Sequence, residues 1–145
     1  MSYSLACTPI DDNDDIMNVH PLEIYRKPLE AIRAGTKKVE IRTNNSYEVI
    51  RYDQLKAGDQ ISFQVISGPP FIGLDVIDPN ALTVEVVEVR QYPDPKALLL
   101  GEGMEVLSTL CETIDEGIEL LYSFHEYQEM IPVHGIFAIE IKVLD

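Results

Sequence analysis

Gly35-Thr36-Lys37-Lys38-Val39-Glu40-Ile41-Arg42 is the stretch on which the fold turns. Its glycine closes a short helical pattern, and the residues after it alternate as a strand does. It also lies inside the basic region of an otherwise acidic chain. Alternation puts Lys37, Val39 and Ile41 on one side and Lys38, Glu40 and Arg42 on the other. One face is thus expected to join the core and the charged face to meet a ligand. The same alternation separates Lys37 from Glu40, so the two share a cleft only if the strand begins with a bend.

Upstream, Leu22 and Ile24 alternate with Glu23 and Tyr25, which predicts a first strand over 20–25. Pro28 suits an early helical position, Leu29 and Ile32 form an apolar stripe, and Gly35 ends the helix. Downstream, Asn44-Asn45-Ser46 signals a turn, with a brief extension over 47–52, and Gly58-Asp59 signals another turn whose aspartate bonds local backbone. Residues 60–66 alternate with Ile61, Phe63 and Val65 inward. Ser67 to Asn80, with Gly68, Pro69, Pro70, Gly73 and Pro79, reads as a long surface loop. Leu82 to Arg90 is the strongest β segment, rich in branched residues.

After Tyr92-Pro93 the pattern turns helical. Asp94 or Pro95 opens a short helix through Leu100, broken by Gly101 and Gly103, and Glu105 to Leu110 adds a turn or two. Thr113 and Glu116 have the spacing of a capping box, followed by Ile114, Ile118, Leu121 and Tyr122 at helical intervals. Residues 133–144 alternate again as a last strand. Strands on either side of a helical insert, without regular βαβ alternation, predict an α+β domain on a mostly antiparallel, curled sheet.

The pattern Gly-x-Lys-x-x-Glu-x-Arg resembles the signature of the ASCH domain, the activating signal cointegrator homology module. The likeness extends through His20-Pro21-Leu22, Gly58-Asp59-Gln60-Ile61-Ser62-Phe63 and His134-Gly135-Ile136-Phe137-Ala138-Ile139-Glu140-Ile141, from about His20 to the C-terminus. It implies a PUA-like small β-barrel flanked by helices, and it implies that Lys37, Glu40 and Arg42 line a ligand cleft.

At 145 residues the chain is sized for one domain. The expected division is an acidic, flexible tail over 1–19, centred on Asp11-Asp12-Asn13-Asp14-Asp15, and a single domain over 20–145. No apolar run reaches the roughly 20 residues of a bilayer span and no signal pattern opens the chain, so no membrane association and a cytoplasmic location are expected. Cys7 and Cys111 lack metal-type spacing, as do His20, His125 and His134; no metal and no cofactor are expected.

The net charge of −14 opposes long polyanions and gives no expectation of DNA binding. Against it stands a local excess of four positive charges, from Arg26, Lys27, Arg33, Lys37, Lys38 and Arg42 against Glu30 and Glu40. A lysine at position 37 can donate to a carbonyl or phosphate oxygen or act in acid-base chemistry. The Arg42 fork can hold an anion or a base edge, with Glu40 fixing its orientation. Arg26 and Lys38 are candidate phosphate contacts, and His20, with His134, a further candidate at a strand end. Tyr25, Tyr47 and Tyr52 flank the basic stretch as possible stacking rings.

Three functions are compatible with these residues. The resemblance implies an RNA-, nucleotide- or nucleoside-binding module. It also implies a small hydrolase: some ASCH proteins are amidohydrolases that deacylate N4-acetylcytidine, with a lysine matching Lys37, a threonine three residues later and a glutamate from the insert. Here Glu40 stands at the threonine's position, which removes that hydroxyl, and Glu112, Glu116 and Glu119 compete for the insert glutamate. Other relatives cleave RNA, a role in which Lys37 and a tyrosine would be the acid-base groups; for an enzyme the candidate catalytic residues are Lys37 and Glu40. The third is a module that binds a basic protein partner through its acidic surface.

Overall fold

The computed structural model describes residues 19–44, 51–67, 75–107, 111–124 and 126–144. The acidic segment before Val19, Tyr47 and most of the proline-rich stretch lie outside the described residues. Five strands form one sheet: β1 (Val19–Ile24), β2 (Val39–Arg42), β3 (Gln60–Ile66), β4 (Val76–Tyr92) and β5 (Ile136–Val143), in the order β1-β3-β4-β5-β2. β1 runs parallel to β3, and the other three pairings are antiparallel. Helix α1 (Arg26–Ala34) follows β1. The insert between β4 and β5 supplies α2 (Pro95–Glu102), α3 (Ile114–Tyr122) and α4 (Tyr127–His134). The domain is α+β, as the patterning predicts.

Two apolar clusters cover opposite faces of the sheet. Leu29 and Ile32 of α1 pack with Leu22, Phe63, Val84, Phe137 and Ile139 on one face. Leu98, Leu121 and Ile131 of the insert pack with Ile136 and Ala138 on the other, joined by Val39 and Ile41. Removing Phe63 or Phe137 from water stabilises the fold by roughly 1.5–3 kcal/mol each. A sheet covered on both faces leaves little room for a charged strand face.

Local signals hold where the chemistry is local. Gly35 caps α1 at φ 86°, and its amide bonds Ala31 O and Ile32 O. Asp94 caps α2 by accepting from Ala97 N at 2.8 Å. The Thr113 capping box forms in full, with Glu116 N donating to Thr113 Oγ1 at 3.1 Å and Glu116 Oε1 accepting from Thr113 N.

Four expectations are corrected. The sheet does not close into a barrel: β1 and β2 are its two edges, and no ladder joins them. Instead the Arg42 guanidinium spans the gap, Nη2 donating to Glu23 O at 2.8 Å. The predicted loop to Asn80 ends earlier, because β4 already begins at Val76. Register shifts along β3 make room there for Pro79 and for Asn80 at φ 50°, whose amide donates to Gln64 Oε1 at 2.9 Å. Val133 and His134 end α4 and do not begin β5, despite Pro132 in that helix. The helix at Pro95 runs through Gly101 to Glu102, and Gly103 ends it.

Candidate functional site

Lys37 precedes β2, and its side chain folds back along the strand. Its Nζ donates to Val39 O at 2.8 Å and lies 3.3 Å from Glu40 Oε1. Glu40 Oε2 in turn accepts from Arg42 Nε at 2.7 Å. The bend that lets Lys37 meet Glu40 is therefore present. The register places these groups: Glu40 pairs with Ile139 and Arg42 with Phe137, two residues of the α1-side core. Glu40 and Arg42 thus share that face, while Val39 and Ile41 pack on the insert side. The charged face does not open to solvent as expected; the side chains of Lys37, Glu40 and Arg42 are 13%, 8% and 13% exposed.

Burial by itself would push the Glu40 carboxyl up. The charges of Arg42 and Lys37 and their hydrogen bonds outweigh it and hold Glu40 below its ordinary value of 4.5. For a carboxyl lowered in the folded state, the stabilisation is complete above the ordinary value and lost as pH falls through the lower, folded one. Urea unfolding followed from about pH 6 to pH 3 should therefore show the parent losing more stability than Glu40→Gln, the gap between them narrowing toward the acid end.

The other predicted residues are distributed around this cluster. Lys38 is exposed, and its carbonyl accepts from Ile141 N at 2.9 Å, extending the β2–β5 contact. Arg26 is half exposed and lies 3.0 Å from Asp78 and 3.7 Å from Glu30. It ties α1 to β4 and is not drawn into the cluster by any hydrogen bond or ion pair among the described residues. His20 Nε2 is 3.4 Å from Asp59 Oδ2 but has no hydrogen bond of acceptable geometry. His134 contributes its backbone carbonyl to Gln91 Nε2 at 2.8 Å. Tyr25 is 41% exposed, whereas Tyr52 is buried against Phe137. Of the insert glutamates, Glu116 is engaged in the α3 cap and Glu119 lines a shallow hollow between α3 and α4. A second hollow, lined by Gln91, Tyr92 and His134, also lies away from Lys37 and Arg42.

A second ionic cluster has no counterpart in the sequence reading. Arg90 on β4 holds Glu102 of α2 with two bonds, Nε to Oε2 at 2.6 Å and Nη2 to Oε1 at 2.9 Å. Its Nη1 donates to Glu88 and Glu140, and Tyr92 donates its hydroxyl to Glu102 at 2.5 Å. The Arg90 hydrogen bonds hold the Glu102 carboxyl below its usual range, and the Glu102 hydrogen bond pushes the Tyr92 hydroxyl up. This cluster fastens the insert to the sheet. Only the Glu88-x-Arg90 spacing hinted at it; Glu102 and Glu140 are too distant in sequence to signal a shared site.

Among the described residues no group of three or more His, Cys, Asp or Glu is arranged to hold a metal ion. No helix there is long and apolar enough to cross a membrane.

No protein-family model matches the chain, and no curated protein matches it. Solved structures do. The crystal structure of hypothetical protein PH0355 is 28% identical over 87% of this chain and 99% of that one, with a TM-score of 0.66. The solution structure of protein PF0455 from Pyrococcus furiosus is 28% identical over 88% of this chain and 98% of that one, with a TM-score of 0.60. A mutant of the ZmASCH protein from Zymomonas mobilis is more distant, 13% identical over 86% of this chain and 68% of that one, with a TM-score of 0.44. The chain thus shares the fold of PH0355 and PF0455, and within that fold the segment that resembles the ASCH signature, Gly35 to Arg42, leads from the end of α1 into β2.

Proposed function

We propose that the protein binds an RNA-, nucleotide- or nucleoside-type ligand at the seam between β1 and β2, with Lys37 and Arg42 as donors and Glu40 holding both in place. The observation that carries this reading is the placement of two cations around one carboxylate where the sheet fails to close. A purely structural closure needs only strand pairing. Here an arginine reaches across the gap to the Glu23 carbonyl, a bond that a ligand oxygen can replace. The local positive excess also runs against a chain of net charge −14, which gives an anionic or polar ligand a place to settle.

The hydrolase alternative ranks second. Glu40, at the threonine's position, is clamped between two cations, and Lys37 Nζ is engaged by Val39 O and Glu40. That arrangement suits binding better than attack on an acyl group.

NMR titration of labelled protein with a short single-stranded RNA and with cytidine tests the reading. Shifts should centre on 37–42 and on Glu23. Arg42→Ala and Lys37→Ala should each weaken binding by about tenfold or more, the equivalent of about 1.4 kcal/mol. Arg26→Ala, whose guanidinium is engaged by Asp78, should change affinity by less than about twofold. Unchanged affinity in folded Arg42→Ala and Lys37→Ala proteins would remove the seam as the site.

A further inference from the structure

The shallow hollow between α3 and α4 lies apart from the seam and has a chemistry of its own. Asp115, Ile118, Glu119 and Tyr122 stand at helical spacing on one stripe of α3, and Gln128 and Pro132, four residues apart, supply the facing wall from α4. Ile118 and Tyr122 are half-buried against the insert core and make the floor apolar, while Asp115 and Glu119 are exposed. Phe124, directly after Ser123 of this lining, and Val133, directly after Pro132, are 44% and 70% exposed. An apolar floor with large exposed side chains at hand is a surface of the kind that partners cover.

Charge decides what covers it. Between Lys96 and Lys142 the sequence has no lysine or arginine, so the insert has no such cation of its own to turn toward these acids. The Asp115 and Glu119 carboxylates make no hydrogen bond or ion pair among the described residues, whereas the Glu116 carboxylate is spent on the α3 cap. The last turn of α3, which brings Tyr122 and Ser123 to the hollow, holds the negative end of the helix dipole with no basic residue to offset it. On the facing wall Pro132 has no N–H to give Gln128 O, so that carbonyl lacks its helical bond. Anionic and acceptor groups thus stand on both walls of an apolar floor.

A lysine or arginine side chain fits this arrangement, its alkyl stem on Ile118, Tyr122 and Pro132 and its head at a carboxylate. Asp115 and Glu119 are separated by about 6 Å along the helix axis, a spacing matched by basic residues four apart on a helix or two apart on an extended chain. A second copy of the chain does not fit, because a net charge of −14 opposes self-association through an acidic face.

We propose that the hollow between α3 and α4 is a docking site for a basic, partly apolar segment of another protein, in which lysines or arginines are interspersed with aliphatic residues. This interaction is additional to the nucleotide-type ligand of the seam and does not depend on it.

NMR titration of labelled protein at about 50 mM salt tests the site with three probes: a capped octapeptide alternating lysine with alanine and leucine, its glutamate-for-lysine counterpart, and spermidine. The basic peptide should shift amides over 115–122 and 128–133, and the acidic one should shift none. Asp115→Asn combined with Glu119→Gln should weaken the basic peptide by about tenfold. Asp75→Asn combined with Glu85→Gln removes the same charge elsewhere and should weaken it by less than about twofold. Glu119→Lys, which gives the hollow a cation of its own, should weaken it at least as far as the first pair. The dispersion of each variant's own spectrum reports that it is folded. Equal weakening by the two pairs, or shifts spread over the whole acidic surface, would reveal general charge attraction and overturn the docking site. Spermidine binding as tightly as the peptide would remove the apolar contribution, and with it the protein segment as occupant. No shift with the basic peptide would overturn the inference and leave the seam, tested through Lys37 and Arg42, untouched.

Discussion

A Glu40→Gln variant is expected to lose about 3 kcal/mol of folding stability at neutral pH. The carboxylate sits between Lys37 and Arg42 in a nearly buried position. Removing its charge takes away the carboxylate between Lys37 and Arg42, and that loss of charge balance, more than the lost hydrogen bonds, sets the size of the effect. In a domain of this size the midpoint of thermal unfolding should fall by about 10 °C. Urea unfolding at neutral pH measures it, and a loss below about 1 kcal/mol would show that the two cations relax into water instead. A triple variant, Lys37→Met with Glu40→Leu and Arg42→Met, removes all the charge together. Because a buried ionic triad is weak evidence for stability, this protein should remain within about 1 kcal/mol of the parent while losing ligand binding. The pair of results separates what the cluster does for folding from what it does for a ligand.

Gly135→Ala is the second large effect, expected at about 3 kcal/mol or more. Gly135 has φ 76° and ψ −167°, a backbone conformation that essentially only glycine adopts. A Cβ there would come within 2.6 Å of Tyr92 O, a backbone atom of β4 that cannot move without shifting the strand. Gly35→Ala is the control. It also has positive φ, at 86°, but nothing lies within 4 Å of its added Cβ, so about 1 kcal/mol is expected. Equal losses in urea unfolding would mean that backbone conformation alone decides both sites. The effect of Gly135→Ala should also reach the seam, because Thr43, directly after Arg42, donates its hydroxyl to Gly135 O at 2.6 Å.

The elements most legible in the sequence are those whose signal fits within a few residues. β3 shows inward Ile61, Phe63 and Val65, all fully buried. The α3 start follows from Thr113 and Glu116, and the α1 stop from Gly35. The helix α4 was hidden because Pro132 and the alternation beginning at Val133 both argue for an extended chain there. In the fold those residues complete a short helix that packs Ile131 into the insert core, and Gly135 turns the chain into β5.

By itself the sequence marked Lys37, Glu40 and Arg42 as candidates and determined the α+β class, because helix caps, turn glycines and strand alternation act between near neighbours. Tertiary structure alone decided that β1 pairs in parallel with β3, that the sheet stays open and that Glu40 is buried rather than presented to solvent. Each of these depends on partners far along the chain: Glu23 for Arg42, Phe137 and Ile139 for the β2 face, Glu102 and Glu140 for Arg90. Alternation states that two faces differ; only the packing of both apolar clusters settles what covers each face.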